Sequence, residues 1–281
     1  MSNLSTGGKH LTMFFLRFNL ADTSSNDISS DQMNNPFEAH GLEHLSPSSC
    51  NLFIGSPAMF VMEKLLKKRS PVGAAAHRGT SVEDGVVAGL KGGTTHEAID
   101  VAKKKFASLT VLSGDPRKEK EENAIADFVR MGLDELKPYG KPSSFQGKIE
   151  YKVDGLVVPM IGFYDMEWED HGILIDLKTT HALPSKISTS HARQVALYCA
   201  ARSENLDARL CYVTPKKSAV YKLENIRQHV QALGTIALTI QRFLSLSRDP
   251  HELASLVVPD VDSFYFSDPM ARQAAFELWK L

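Results

Sequence analysis

Apolar residues recur at helical spacing through Phe53, Ala58, Phe60, Leu65 and Leu66, just after the run Ser46-Pro47-Ser48-Ser49. Ser46 or Ser48 can cap a helix with Pro47 in its first turn, so ordered structure is expected from Leu45 onward. A second helix is expected after Gly79, where Thr80 and Glu83 stand at capping-box spacing. Residues 96–108 and 119–137, rich in Ala, Glu and Lys, predict two more. The period then changes to two. Residues 148–153 alternate, Asp154-Gly155 predicts a type I′ hairpin turn, and residues 156–158 its return, ended by Pro159. Residues 161–168 and 173–178 predict two further strands around a polar turn at 169–172. A helix at 192–202, a hairpin of 210–213 with 219–223, a long helix at 225–246 and a short one at 271–281 complete the pattern. This order predicts a mixed α/β fold with a central sheet flanked by helices.

Residues 21–45 break the pattern: rich in Ser, Asn and Asp, they hold too little apolar surface to offset the entropy of ordering. Residues 1–44 are therefore expected to be a disordered extension and 45–281 one domain, with Met13 and Met33 leaving the start codon open. Residues 12–20 are apolar, but the run is short, is interrupted by Arg17 and lacks a small-residue cleavage site. They read as neither a membrane span nor a signal peptide, and a cytoplasmic location is expected.

The 281 residues carry 32 basic and 33 acidic side chains, a balance that excludes an overall basic coat but not a local basic channel. Lys67-Lys68-Arg69 and Lys103-Lys104-Lys105-Phe106 are the candidates for one. Cys50, Cys199 and Cys211 lack pairable spacing and fall short of the four thiolates an iron–sulfur cluster takes, so no cluster is expected. His77, His171, His181 and His191 form no tight ligand pair and read as loop or surface histidines.

The candidate chemistry follows from register. If 169–172 joins the two strands, Trp168 faces Ile173, and three steps on Asp165 lies opposite Asp176. Like charges so placed destabilise a hairpin unless a cation lies between them, and Mg²⁺ or Mn²⁺ held through one or two carboxylates meets that need. Asp176 and Lys178 share a face, while Ile173, Ile175 and Leu177 point the other way. Two carboxylates, a divalent ion and an ammonium can together polarise a phosphodiester and orient an attacking water. A solvent-facing hairpin whose acids merely keep an edge soluble is the competing reading.

Gly162-Phe163-Tyr164-Asp165, Asp176-Leu177-Lys178 and Gln194-Val195-Ala196-Leu197-Tyr198 resemble the GxxD, DxK and QxxxY motifs of the PD-(D/E)XK nuclease superfamily, notably its RecB-type and phage lambda-type exonuclease branch. Weaker matches extend the resemblance over roughly 45–281. It implies a restriction-endonuclease-like sheet flanked by helices and a metal-dependent DNA exonuclease of recombination or repair, with a phage gene among its sources. Asp165, Asp176 and the Leu177 carbonyl would be metal ligands and Lys178 the catalytic lysine. Arg78-Gly79-Thr80-Ser81-Val82-Glu83 is similar to the lambda-type RGxxxE, which implies Glu83 as a further catalytic and metal-ligating acid. Gln194, Tyr198, Thr179 and Arg78 would contact DNA. Lambda-type relatives form rings, so a homo-oligomer or a single-strand annealing or recombination partner is a further implication. A structure-specific or restriction-type endonuclease on the same fold, or a DNA-binding module that has lost catalysis, stays open beside this reading.

Overall fold

The Ser46 side chain accepts from the Ser49 N–H while the Ser49 hydroxyl accepts from the Ser46 N–H, and this capping box starts α1 (Pro47–Gly55) where the sequence predicts a helix. The computed structural model describes residues 35–281 apart from Glu204; the expected disorder of residues 1–34 lies outside the described residues. The packed chain begins before residue 45. Phe37 is fully buried against the core, and His40 Nε2 lies 3.0 Å from the Ser247 carbonyl. Phe37 and His40, with Leu42 packed on the same core, anchor a stretch that is otherwise polar.

After α1 the chain breaks at Ser56, which caps α2 (Pro57–Phe60), and runs on through a π-turn at Val61–Leu65. Next come α3 (Ala74–Leu90), α4 (Thr95–Leu109) and α5 (Lys118–Leu136). The second helix thus starts six residues before Thr80, whose hydroxyl bonds the Ala76 carbonyl from inside the helix. The cap comes from elsewhere in the chain. Asp115 in the α4–α5 connection accepts the Ala74 N–H at 2.8 Å and is clamped by Arg117 at 2.9 Å.

Among the described residues the sheet has five strands in sequential order: β1 (Ser144–Tyr151), β2 (Met160–Trp168), β3 (Ile173–Thr179), β4 (Asp207–Val213) and β5 (Ser218–Lys222). Only the β3–β4 pair is parallel, bridged by the crossover helix α6 (Thr189–Arg202). Helices α7 (Ile226–Leu244), α8 (Pro250–Ser255) and α9 (Pro269–Trp279) close the chain. A turn forms at Asp154-Gly155, but only Gly155 takes a positive φ (79°), so it is not the expected type I′ turn, and no strand returns from it. Val157 N–H donates to Gln241 of α7 at 2.8 Å, and the same side chain donates to the Gly155 carbonyl, so β1 pairs instead with β2.

The sheet lies between two helical layers. On one face α1, α6 and α7 cover Met160, Tyr164, Leu174 and Leu210; on the other α3, α4 and α5 cover Met166, Trp168, Ile175 and Leu177. This is the expected mixed α/β architecture, a central sheet flanked by helices. Cys50, Cys199 and Cys211 are free and buried.

One buried network joins α3 to the end of β3. Arg78 pairs with Glu121 of α5, its Nη2 donates to the Thr179 carbonyl at 3.2 Å, and its guanidinium sits 4.5 Å over the Phe128 ring. His181 Nε2 lies 3.0 Å from both Glu121 oxygens. Burial opposes the Glu121 charge, but His181 and Arg78 outweigh it and hold its carboxyl below the usual range.

Two stability predictions follow from these contacts. Phe37→Ala is expected to cost about 3–5 kcal/mol in denaturant titration, the range for emptying a buried aromatic site. Arg78→Ala is expected to cost a similar ~3–5 kcal/mol by stranding the Glu121 carboxylate, and Arg78→Lys should recover little, lacking the planar fork. A melt indistinguishable from wild type for either change would contradict the packing described.

Candidate active site

The β2–β3 ladder pairs Trp168 with Ile173, Glu167 with Leu174 and Met166 with Ile175, the register that the hairpin loop predicts, and then stops. β2 stays paired to β1 as far as Met160, and β3 to β4 as far as Thr179. The sheet therefore forks. Asp165 and Asp176 are the first residues past the last pair, at the base of the fork rather than face to face in a continuous ladder.

Side-chain alternation slips at the same point. Tyr164 packs in the α6-side core and Met166 in the α3-side core, although two residues along a regular strand share a face. Across from Asp165, Gln146 takes a left-handed backbone (φ 50°) between the pairs Phe145–Met166 and Gly147–Tyr164. A non-glycine residue in that region stores strain, and such residues gather at functional sites. Nothing in the sequence around Gln146 signals it.

In the fork, Asp165 Oδ2 accepts the Leu177 N–H at 2.7 Å, a donor that the ended ladder leaves without a strand partner. The N–H and C=O of one strand residue point to the same edge, so the Leu177 carbonyl also opens toward the fork. Asp176 is 0 % exposed, and neither of its carboxylate oxygens has a hydrogen bond. Lys178 Nζ lies 2.5 Å from Asp176 Oδ2, a charge contact whose alignment falls short of a hydrogen bond. Glu83, on α3, is held by Gln146 Nε2 at 3.1 Å.

The protonation states follow from this crowding. Burial, then the Asp176 charge, holds the Asp165 carboxyl well above its usual range. Burial also raises Glu83, with Gln146 pulling it back and Asp176 pushing it further. Burial alone would depress the Lys178 ammonium, but Asp176 and Asp165 outweigh it and hold it above the ordinary lysine value. Three acids thus share one lysine, and Asp165 and Glu83 resist ionisation.

The residues fit a hard divalent cation. Orphaned, fully buried carboxylate oxygens beside a second carboxylate are oxygen donors of the kind Mg²⁺ and Mn²⁺ take through one or two carboxylates, the rest being water or substrate oxygens. Among the described residues, no three His, Cys, Asp or Glu side chains converge into a cage. Glu83 therefore stands in the field of the aspartates but is engaged with Gln146, not gathered with them as the third ligand the sequence implies.

The other expected contacts separate. Tyr198 packs on the glycine of the GxxD run: a Cβ at Gly162 would lie 2.4 Å from the tyrosine Cε1. Its hydroxyl is 2.7 Å from Gln194 Nε2, and the ring is buried, so these two line the site wall and Tyr198 offers no open face to DNA. Arg78 is 3 % exposed with its donors spent on Glu121 and Thr179, so it is not available to a phosphate; Thr179 Oγ1 accepts from Arg78, which ties the half-buried hydroxyl to that cluster. Phe106 is core and Lys105 pairs with Asp84 at 3.1 Å, while Lys67 Nζ donates to the Lys64 carbonyl. Lys67 and Lys105 are thus committed within the protein, while Lys68, Arg69, Lys103 and Lys104 are exposed. His191, read from sequence as a loop residue, stands on α6 beside the fork with Nδ1 2.8 Å from the Tyr212 hydroxyl; burial and then Lys178 hold its pKa below normal. Beyond the ends of β3 and β4 opens a cleft of about 540 Å³ lined by His181, Leu183, Lys216 and Lys217.

Known proteins bear on this geometry at one point. No curated protein matches the chain. One similar solved structure, "Crystal structure of SSO0001", shares 19% identity over 57% of this chain and 75% of that one, with a TM-score of 0.32, a likeness too loose to bear on function. The family model for the PD-(D/E)XK nuclease superfamily matches residues 44–267, which takes in the whole sheet and the forked hairpin, and the chain belongs to that superfamily.

Proposed function

We propose that this protein is a divalent-metal-dependent deoxyribonuclease, acting as an exonuclease in DNA recombination or repair, with the fork as its active site. The observation that carries the reading is Asp176: a buried carboxylate with both oxygens unbonded, next to a second buried carboxylate and a lysine. Lys178 is the one ammonium beside these two buried carboxylates, and a structural hairpin would rarely bury more negative than positive charge in one place.

In this reading Asp165, Asp176 and the Leu177 carbonyl hold Mg²⁺ or Mn²⁺, and Glu83, drawn in from Gln146, completes the acid set. The ion supplies Lewis-acid charge to a phosphodiester and lowers the pKa of water. Lys178, held protonated by the two aspartates, donates to a phosphate oxygen or orients the attacking water, and does not serve as the base. Gln194 presents its amide beside Tyr198 to the bound strand, and the Lys216–Lys217 cleft is suited to following its phosphates. The RecB-type and lambda-type motifs support exonuclease over endonuclease action, a phage gene as one origin, action in the cytoplasm, and assembly as a homo-oligomer or with a recombination partner. End-labelled linear DNA degraded with Mg²⁺, and closed circular DNA spared, is the expected result; nicking of the circle would make the enzyme an endonuclease.

Asp176→Asn relieves crowding among the acids but takes the ion-pair partner from Lys178, so without metal its stability should stay within about 1 kcal/mol of wild type. It should also lose the Mn²⁺ stabilisation of wild type, which at a hundred times the Kd is about 2.7 kcal/mol. Lys178→Ala should keep that stabilisation and lose cleavage. Retained cleavage in Asp176→Asn would misplace the site.

Metal binding should weaken as pH falls, beginning above the ordinary carboxylate range. The folded Asp165 and Glu83 pKa values are raised, so both acids take up protons before a free carboxylate would. For the metal-free fold the sign is opposite: the native state binds more protons than the unfolded chain, so stability is lost as pH rises through that window. Mn²⁺-induced melting shifts measured against pH decide this, and a midpoint at the ordinary carboxylate value would contradict it.

A further inference from the structure

The slip at Asp165 has a second effect, on Phe163. With regular alternation from Met166, residue 163 would face the α6-side core; the slip turns it to the opposite face and puts Tyr164 in the core instead. Phe163 is 57% exposed, in the middle of a strand whose other residues are buried or half-buried. Past the fork, the β1–β2 arm is packed on its α6 side by Gly162, Ile149 and Met160, and its other face carries Phe163, Lys148, Ile161 and Glu150. Helices α3 to α5 cover Met166 and Trp168 but leave this part of the face open.

A lone exposed phenylalanine is ordinary on a protein surface. Its placement here is not. It lies two residues from Asp165, roughly 6.6 Å along the strand. Lys148, directly across on β1 and exposed, has no side-chain partner among the described residues. Cross-strand neighbours have Cβ atoms about 4.5–5.5 Å apart, so an aromatic face and a free ammonium stand side by side at the lip of the fork.

We propose that Phe163 is a stacking platform for an unpaired nucleobase of the strand whose phosphate enters the fork, with Lys148 contacting an adjacent phosphate. The inference rests on the nuclease reading and deepens it: the strand reaches the acids single-stranded or frayed, because a base inside a closed duplex has no free face to offer. Stacking on an aromatic ring is tolerant of sequence, so the platform selects for strandedness and not for base identity.

The test uses the full chain in EDTA with a short single-stranded oligonucleotide carrying 2-aminopurine at successive positions. Wild type and Phe163→Trp should quench the fluorescence at one position. Phe163→Ala and Phe163→Leu should lose that quenching and bind roughly 5- to 150-fold more weakly, the range for losing one base–aromatic stack. Affinity for a blunt closed duplex should change little. Leucine keeps an apolar side chain on the exposed strand, so a general folding defect is separable from loss of the ring. Equal quenching and affinity in all four proteins, or no quenching by wild type, overturns the proposal. Cleavage of the same oligonucleotide with Mn²⁺ is scored separately. Phe163-dependent stacking without wild-type cleavage sinks the nuclease reading alone, and cleavage with Phe163-independent binding sinks the stacking alone.

Discussion

The rest of the structure is arranged around a backbone pairing that stops early. Had β2 and β3 stayed hydrogen-bonded beyond Met166 and Ile175, Asp165 and Asp176 would stand as two like charges on a closed sheet, and the Leu177 amide would be spent on β2. Ending the ladder there opens a gap whose walls are polar. A free strand edge is normally a liability, prone to pairing with another chain. Here β3 keeps its other edge fully paired to β4, and β2 stays paired to β1, so the open edges are held rigidly inside the molecule.

Two buried charge clusters in this protein contrast sharply. Around Arg78, one guanidinium meets one carboxylate, a carbonyl, a hydroxyl and an aromatic face, and the cluster is satisfied. Such a group ties elements together, in this case α3 and α5 to the end of β3. In the fork, three carboxylates face one ammonium, and Asp176 has no hydrogen bond at all. The first cluster can only lose by change. The second, with more acid than its one ammonium balances, has free energy to gain from a divalent cation. The satisfied cluster holds the unsatisfied one in place, since Arg78 and Glu83 lie on the same helix and Thr179 adjoins Lys178.

The local geometry serves the same end. Gly162 lets the Tyr198 ring press against β2, fixing α6 over the fork. Gln146 accepts an unfavourable backbone and holds Glu83 near the aspartates without yet joining it to them. In the sheet, these departures lie beside the acids, Gly162 three residues from Asp165 and Gln146 across from it, while the paired part of the hairpin from Met166 to Ile175 is regular.

Much of this was legible in one dimension. Period-two alternation, the polar turn at 169–172 and the spacing of Asp165, Asp176 and Lys178 determine the hairpin and its register, because local pleat and turn length leave little freedom. Ser46-Pro47-Ser48-Ser49 determines where α1 begins, because its cap lies within the motif. Other features depend on partners distant in sequence, and only the tertiary structure decided them. α3 starts at Ala74 because Asp115 reaches across to cap it, residues 156–158 are drawn off the sheet by Gln241, and Phe37 is held by a core assembled from the far half of the chain. Arg78 looked like a phosphate contact until Glu121 and Thr179 claimed it. The sequence determines which charges the hairpin carries; long-range packing decides which of them are satisfied and which are left open.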